Sequence, residues 1–135
     1  MTRLAIDAPV ALRLARENRT VAAGHQLVGP GCLRSDALAL LYEQVRAGEL
    51  PEAEAMSLLD RLTTTKMRLL ADRVSRRVAW KVAGELGLPD TRRAEYVAVA
   101  VLQADVLVTE DSELARVGRP YVRTAGWAEL AAALG

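Results

Sequence analysis

The sequence predicts a three-layer α/β domain with a central, mainly parallel sheet, and three observations predict it. Short apolar runs alternate with longer stretches of helical periodicity along the whole chain. The runs Leu4-Ala5-Ile6 and Val106-Leu107-Val108-Thr109 carry no charge, as in strands covered on both faces. No repeat, linker or low-complexity segment interrupts the alternation, so the 135 residues read as one domain, 1–135, long enough to bury a core. Strands separated by helices imply right-handed crossovers and helices on both faces of the sheet.

The elements follow in order. A strand near Arg3–Ile6 leads to a helix from Ala8 to about Arg16, with Pro9 at a tolerated first-turn position. Gln26–Val28 reads as a short strand ended by Gly29-Pro30-Gly31. A helix from about Cys32 to Ala47 stops at Gly48. Pro51 opens another, ending near Leu62, where Thr63-Thr64-Thr65 breaks the pattern. Met67–Leu70 fits a third strand, and a charged helix runs from about Asp72 to Leu86 before the turn Gly87-Leu88-Pro89. Thr91–Leu102 is the next helix and Val106–Thr109 the clearest strand. A short helix begins near Ser112, Tyr121–Arg123 makes a small last strand, and Trp127–Leu134 closes the chain as a helix. The segments Leu38–Leu41 and Val97–Val101 are apolar nearly all round, which places such helices deep in the core or at a subunit interface. A homodimer is expected on that ground.

Composition narrows the class. With 51% hydrophobic and 26% charged residues the chain is globular rather than disordered. Cys32 is the only cysteine and His25 the only histidine, too few for a disulfide or a zinc site. No apolar run approaches the ~20 residues that span a bilayer, and the N-terminus lacks a signal-peptide pattern, so a cytoplasmic location is expected. A net charge of +1 gives no global field for nucleic acid. Arg73, Arg76, Arg77 and Lys81 nevertheless recur at helical spacing, either as an RNA-backbone contact or as the solvated face of a surface helix. Trp80 and Trp127 read as core or interface residues, and His25 as a loop residue or strand cap.

Three aspartates carry the chemistry. Asp7 and Asp111 follow the two apolar runs, and ligands of parallel sheets gather at the carboxyl ends of strands. Asp36 sits among apolar residues of a helix, where an unpaired carboxylate is costly. Acids that converge despite their repulsion usually hold a divalent cation. Each has a plainer role as well. Asp7 and Asp111 are good caps for the helices that follow them, and Asp36 would serve as a buried partner for an arginine. One shared site explains the three together better than three separate roles. A phosphoacceptor receiver domain would need a paired acid beside the acceptor and a late lysine, and neither is evident. No glycine-rich phosphate loop or activated nucleophile is present.

The chain resembles a PIN domain, most closely the VapC-type toxins of bacterial toxin–antitoxin pairs. The resemblance spans nearly the whole chain. Its strongest stretch is AEYVAVAVLQADVLVTEDSELA, from Ala94 to Ala115, which has the family's helix, strand and T-x-D-x-x-L turn. LAID at the start resembles the first strand with its acid, and Pro30 is followed six residues later by Asp36 in a helix. The resemblance implies an Mg2+- or Mn2+-dependent endoribonuclease in which carboxylates surround the metal. Asp7 would be the primary ligand, with Asp36 and Asp111 supporting it. A VapB-type antitoxin, an RNA substrate and a homodimer are the implied partners.

One position departs from the family's Tyr-Asp-Ala-x-Tyr pattern, because Arg93 stands where the third acid is usual. Glu95 is a poor substitute, since two residues turn a helix by about 200°. Asp90, after Pro89, is better placed to cap the helix, although Glu95 and Asp90 both stay candidates for helping the three aspartates hold the metal. A unit charge pair in close contact is worth about 4 kcal/mol at an effective dielectric near 20, so Arg93 should oppose a divalent cation. It would form a salt bridge with Asp7, Asp36 or Asp111 and take the metal's place, as arginines of antitoxin tails commonly do in this family, or it would point to solvent. A catalytically degenerate module that binds an antitoxin or RNA is therefore the alternative function.

Overall fold

Strand β1 (Thr2–Ile6) lies at the centre of a five-stranded sheet in a computed structural model that describes residues 1–135. The remaining strands are β2 (His25–Pro30), β3 (Arg68–Leu70), β4 (Val106–Val108) and β5 (Thr124–Ala125), in the order β3-β2-β1-β4-β5. Every pairing is parallel. The helices are α1 (Ala8–Glu17), α2 (Leu33–Arg46), α3 (Glu52–Thr64), α4 (Arg73–Leu86), α5 (Arg92–Gln103), α6 (Ser112–Gly118) and α7 (Trp127–Ala131). α1, α2 and α3 pack together as one group, while α4 and α6 pack on α5, which covers β1, β2 and β4. The three-layer class is the one the alternation predicted.

Leu4, Ile6, Leu107, Val106 and Val97 are all at most 2% exposed, so the core lies along the two central strands and under α5. α5 is buried through Val97–Ala100 as its composition demanded, although Val101 reaches solvent. α2 is different. Ala37 and Leu41 face the core, but Leu38 and Tyr42 are exposed, so this helix is not buried all round.

Four boundaries differ from the sequence reading. β2 does not end at Val28: it continues through Gly29 and Pro30, which pair with Leu69 and Leu70. Pro30 is tolerated because pairing with β1 ends at Val28, so its missing N–H leaves no rung to β1 unmade. Gly31 lets β2 leave close to β3, since a Cβ there would lie 2.5 Å from the Ala71 Cβ. α3 runs through Thr63 and Thr64, whose hydroxyls are accommodated by bonding back to the Leu59 and Arg61 carbonyls. The last strand is Thr124–Ala125 rather than Tyr121–Arg123, and α7 ends at Ala131. α4 begins with a capping box between Asp72 and Ser75 and ends at Gly87 with φ +63°, as the turn residues suggested. No helix is long and apolar enough to cross a membrane.

Candidate active site

The strand order reverses between β1 and β4. From β1 the chain builds outward through β2 and β3, and later through β4 and β5 on the other side. Crevices form at the carboxyl ends of strands at such a switch point, and there they collect ligands. Asp7 follows β1 and Asp111 lies just beyond β4, so the two flank this crevice. Asp36 enters from α2. All three line a single pocket of about 340 Å3, together with Arg92, Arg93 and Tyr96.

Asp7 is 4% exposed and has both oxygens occupied. Oδ1 accepts from the Val10 N–H at 3.0 Å, capping α1, and Oδ2 accepts from the Thr109 hydroxyl. Burial pushes its pKa up, Asp111 adds to that, and the Thr109 and Val10 hydrogen bonds oppose it. Register explains the Thr109 contact: Ile6 is paired with Val108, so the next residues of both strands emerge side by side. Thr109 Oγ1 also accepts from the Asp111 N–H at 3.0 Å, linking the two acids through one hydroxyl.

Asp36 lies in the first turn of α2, not in mid-helix, and the positive end of the helix dipole favours it there. The Tyr96 hydroxyl donates to its Oδ2 at 2.6 Å. Burial, and then the Asp36 hydrogen bond, push the Tyr96 pKa far up, so this phenol remains a donor. Asp111 caps α6 by accepting from the Glu113 N–H, and its Oδ2 accepts from Arg93 Nε at 3.2 Å. The cap roles of Asp7 and Asp111 are thus real, and they coexist with convergence on one pocket. Arg93 pairs with Asp111, and neither Asp7 nor Asp36 takes part in an ion pair.

The other acids lie elsewhere. Glu95 points to a separate small pocket, where Cys32 Sγ approaches its Oε2 at 3.8 Å, as the turn of the helix required. Burial and the nearby carboxylates push the Cys32 pKa up to about 12, so it remains a thiol. Asp90 accepts from the Arg92 N–H and stays outside the acidic pocket. Along α4, Arg76 turns back to the Ala71 carbonyl, while Arg73, Arg77 and Lys81 are exposed. Thr109, Tyr96 and Arg92 were not read from the sequence as members of the site. Tyr96 follows Arg93 by three residues on the same helix, a spacing that could have found it. A larger cavity of about 440 Å3 opens at the start of β2 and β3, around His25, Lys66 and Arg68. It holds no carboxylate and lies away from the switch point, so the smaller pocket is the better candidate.

No three His, Cys, Asp or Glu side chains lie close enough to hold one ion between them. Mg2+ does not require three. It keeps several waters and is commonly held through one or two carboxylates. Asp7 and Asp36 supply oxygen donors of that kind, and a cation would relieve the charge that burial disfavours on Asp7. Their donor type suits such an ion, with Asp111 engaged by Arg93.

The arrangement defines a class: a parallel α/β domain with an acidic crevice at its switch point. No protein-family profile and no curated protein sequence matches the chain. Solved structures do. PAE2754 from Pyrobaculum aerophilum aligns over 96% of this chain and 92% of its own, with 23% identity and a TM-score of 0.72. A chain of VapBC-1 from nontypeable Haemophilus influenzae aligns over 94% and 99%, with 13% identity and a TM-score of 0.63. A chain of VapBC2 from Rickettsia felis, bound to a DNA fragment from its promoter, aligns over 93% and 98%, with 9% identity and a TM-score of 0.64. The likeness is one of fold, and it is the three-layer fold that the sequence resemblance implied.

Proposed function

We propose that the chain is the toxin of a VapBC-type toxin–antitoxin pair, a divalent-metal-dependent endoribonuclease. The observation that carries this reading is the meeting of Asp7, Asp36 and Asp111 in one pocket at the switch point of a VapC-like fold. Asp7 and Asp36 would hold Mg2+ or Mn2+. When bound, the ion would acidify a water and neutralise charge developing on the scissile phosphate. The chain's own residues set the stage. Thr109 and Val10 fix the Asp7 carboxylate, Tyr96 fixes Asp36, and Arg92 at the pocket rim would hold the backbone of an RNA strand. Arg73, Arg76, Arg77 and Lys81 would extend that backbone contact. A VapB-type antitoxin is the proposed partner, the cytoplasm the proposed location, and a homodimer the proposed assembly, which sedimentation would test.

The Arg93–Asp111 pair favours a second reading, a degenerate module that binds antitoxin or RNA without cutting. Its magnitude argues against that reading. The side chains are 50% and 37% exposed, and so open a pair is worth about 0–1 kcal/mol rather than the several that a buried contact would give. A divalent ion would compete with it.

Cleavage of structured RNA by the purified chain in Mg2+ or Mn2+ tests both readings, run beside Asp7→Ala and Arg93→Asp. Cleavage by the unaltered chain, lost by at least a hundredfold in Asp7→Ala, is expected from the nuclease. Cleavage that appears only in Arg93→Asp would establish degeneracy.

A further inference from the structure

We propose that Trp80 is a base-stacking platform for single-stranded nucleic acid, set on a cationic face of α4 that leads to the acidic pocket. The inference deepens the proposed function and rests on it for what the strand is doing there. Its starting observation is that Trp80 is 77% exposed, which removes the core reading made from the sequence. The chain has only two tryptophans and no phenylalanine. The other, Trp127, is buried beneath the Arg13 guanidinium, 4.1 Å from its ring centre. Leaving the remaining indole in water is a cost that packing does not explain.

The surroundings suit a nucleotide. Successive helical residues turn by about 100°, so Arg73, Arg77, Trp80, Lys81 and Gly84 share one stripe of α4. Arg73, Arg77 and Lys81 form no ion pair within the chain. Glu85, the only acid within the helix, is occupied by the Tyr121 hydroxyl. Gly84, one turn on from Trp80, has open space where a side chain would stand, leaving the indole uncovered on that side. There a cleft of about 300 Å3 runs from Trp80 past Gly84 and Pro89 to Asp90 and Thr91. The acidic pocket begins at Arg92, the next residue of the chain. Asp90 is the one carboxylate on the path, and its Oδ1 is held by the Arg92 N–H.

An open π-face flanked by unpaired cations is how proteins hold single strands: bases stack while guanidinium and ammonium groups follow the phosphates. Arginine beside tryptophan also occurs at protein interfaces, but lysine is depleted there, and a run of three cations with no acid to pair them matches a polyanion. RNA and DNA share the base and phosphate chemistry that this surface would recognise.

The test is tryptophan fluorescence on titration with short single-stranded RNA and DNA of one sequence, in EDTA, so that neither metal nor cleavage enters. Binding should quench Trp80 emission. Trp80→Ala should weaken binding about tenfold or more, while Trp80→Tyr keeps most of it. Preference for RNA or for DNA supports the platform and assigns the strand, and equal binding of both supports the platform through the chemistry they share. Absence of binding, unchanged affinity in Trp80→Ala, or a Trp80→Ala variant that only changes from dimer to monomer in sedimentation would each overturn it. Trp127 emission reports that the variant is folded. A chain that binds through Trp80 yet never cleaves RNA would sink the nuclease reading and leave this one standing.

Discussion

Asp7 is held among apolar neighbours by two hydrogen bonds that only partly offset the loss of water, and the sign of its pH dependence follows from that. Its folded pKa is raised, so the folded chain keeps the proton at pH values where the unfolded chain has lost it. Stability therefore falls as pH rises from the ordinary carboxylate range through the raised value, and the deficit is complete above it. Asn at this position keeps the acceptor for Val10 and cannot ionise. Asp7→Asn should raise Tm by a few degrees at neutral pH, with the gap closing near pH ~4, when thermal unfolding is followed across that range. A variant less stable at every pH would contradict this account. Tyr96→Phe removes the only side-chain donor to Asp36. Urea unfolding should register a loss of about 0.5–1.5 kcal/mol, with water replacing part of the bond at this half-buried acid.

At the scale of elements, α4 and α5 show what a linear pattern reveals and what it hides. The capping residues Asp72 and Gly87 marked the ends of α4, because caps are local and depend only on neighbouring residues. The periodicity of α5 correctly separated Glu95 from Arg93, because a helix fixes the angle between residues two apart. The direction taken by Arg93 was not legible, since a long side chain chooses its partner in three dimensions. Nor was the exposure of Trp80, whose neighbours Ala79 and Val82 are buried and suggest the opposite. β2 was cut short because Gly29-Pro30-Gly31 has the chemistry of a turn, and only β3 beside it makes the last two residues a strand. If α4 tracks a nucleic-acid backbone, reversing Arg73, Arg77 and Lys81 to Glu should flatten the log–log salt dependence of single-strand binding by about 2. An unchanged slope in the same titration would exclude the contact.

For the whole molecule, stability concentrates where β1 and β4 meet beneath α5. Leu107 is fully buried at the centre of β4 and pairs with Ala5. Leu107→Ala should cost about 2–5 kcal/mol in urea unfolding, a large share of the ~5–15 kcal/mol typical of a domain. The three-layer class was readable because alternation of strand and helix leaves few ways to cover a parallel sheet. Convergence of the acids was readable only in outline. Asp7 and Asp111 announced themselves as residues just past strand ends, but their connection through Thr109 depends on a register that no local signal encodes.

That register has a consequence for synthesis. Asp7 and the threonine that supports it are 102 positions apart. At about 5–20 residues per second, a ribosome needs roughly 5–20 s between making the first and making the second. During that interval the innermost strand has an empty flank, and the crevice lacks one wall. The acidic pocket therefore takes shape only as synthesis nears its end, and the proposed nuclease could not act before then.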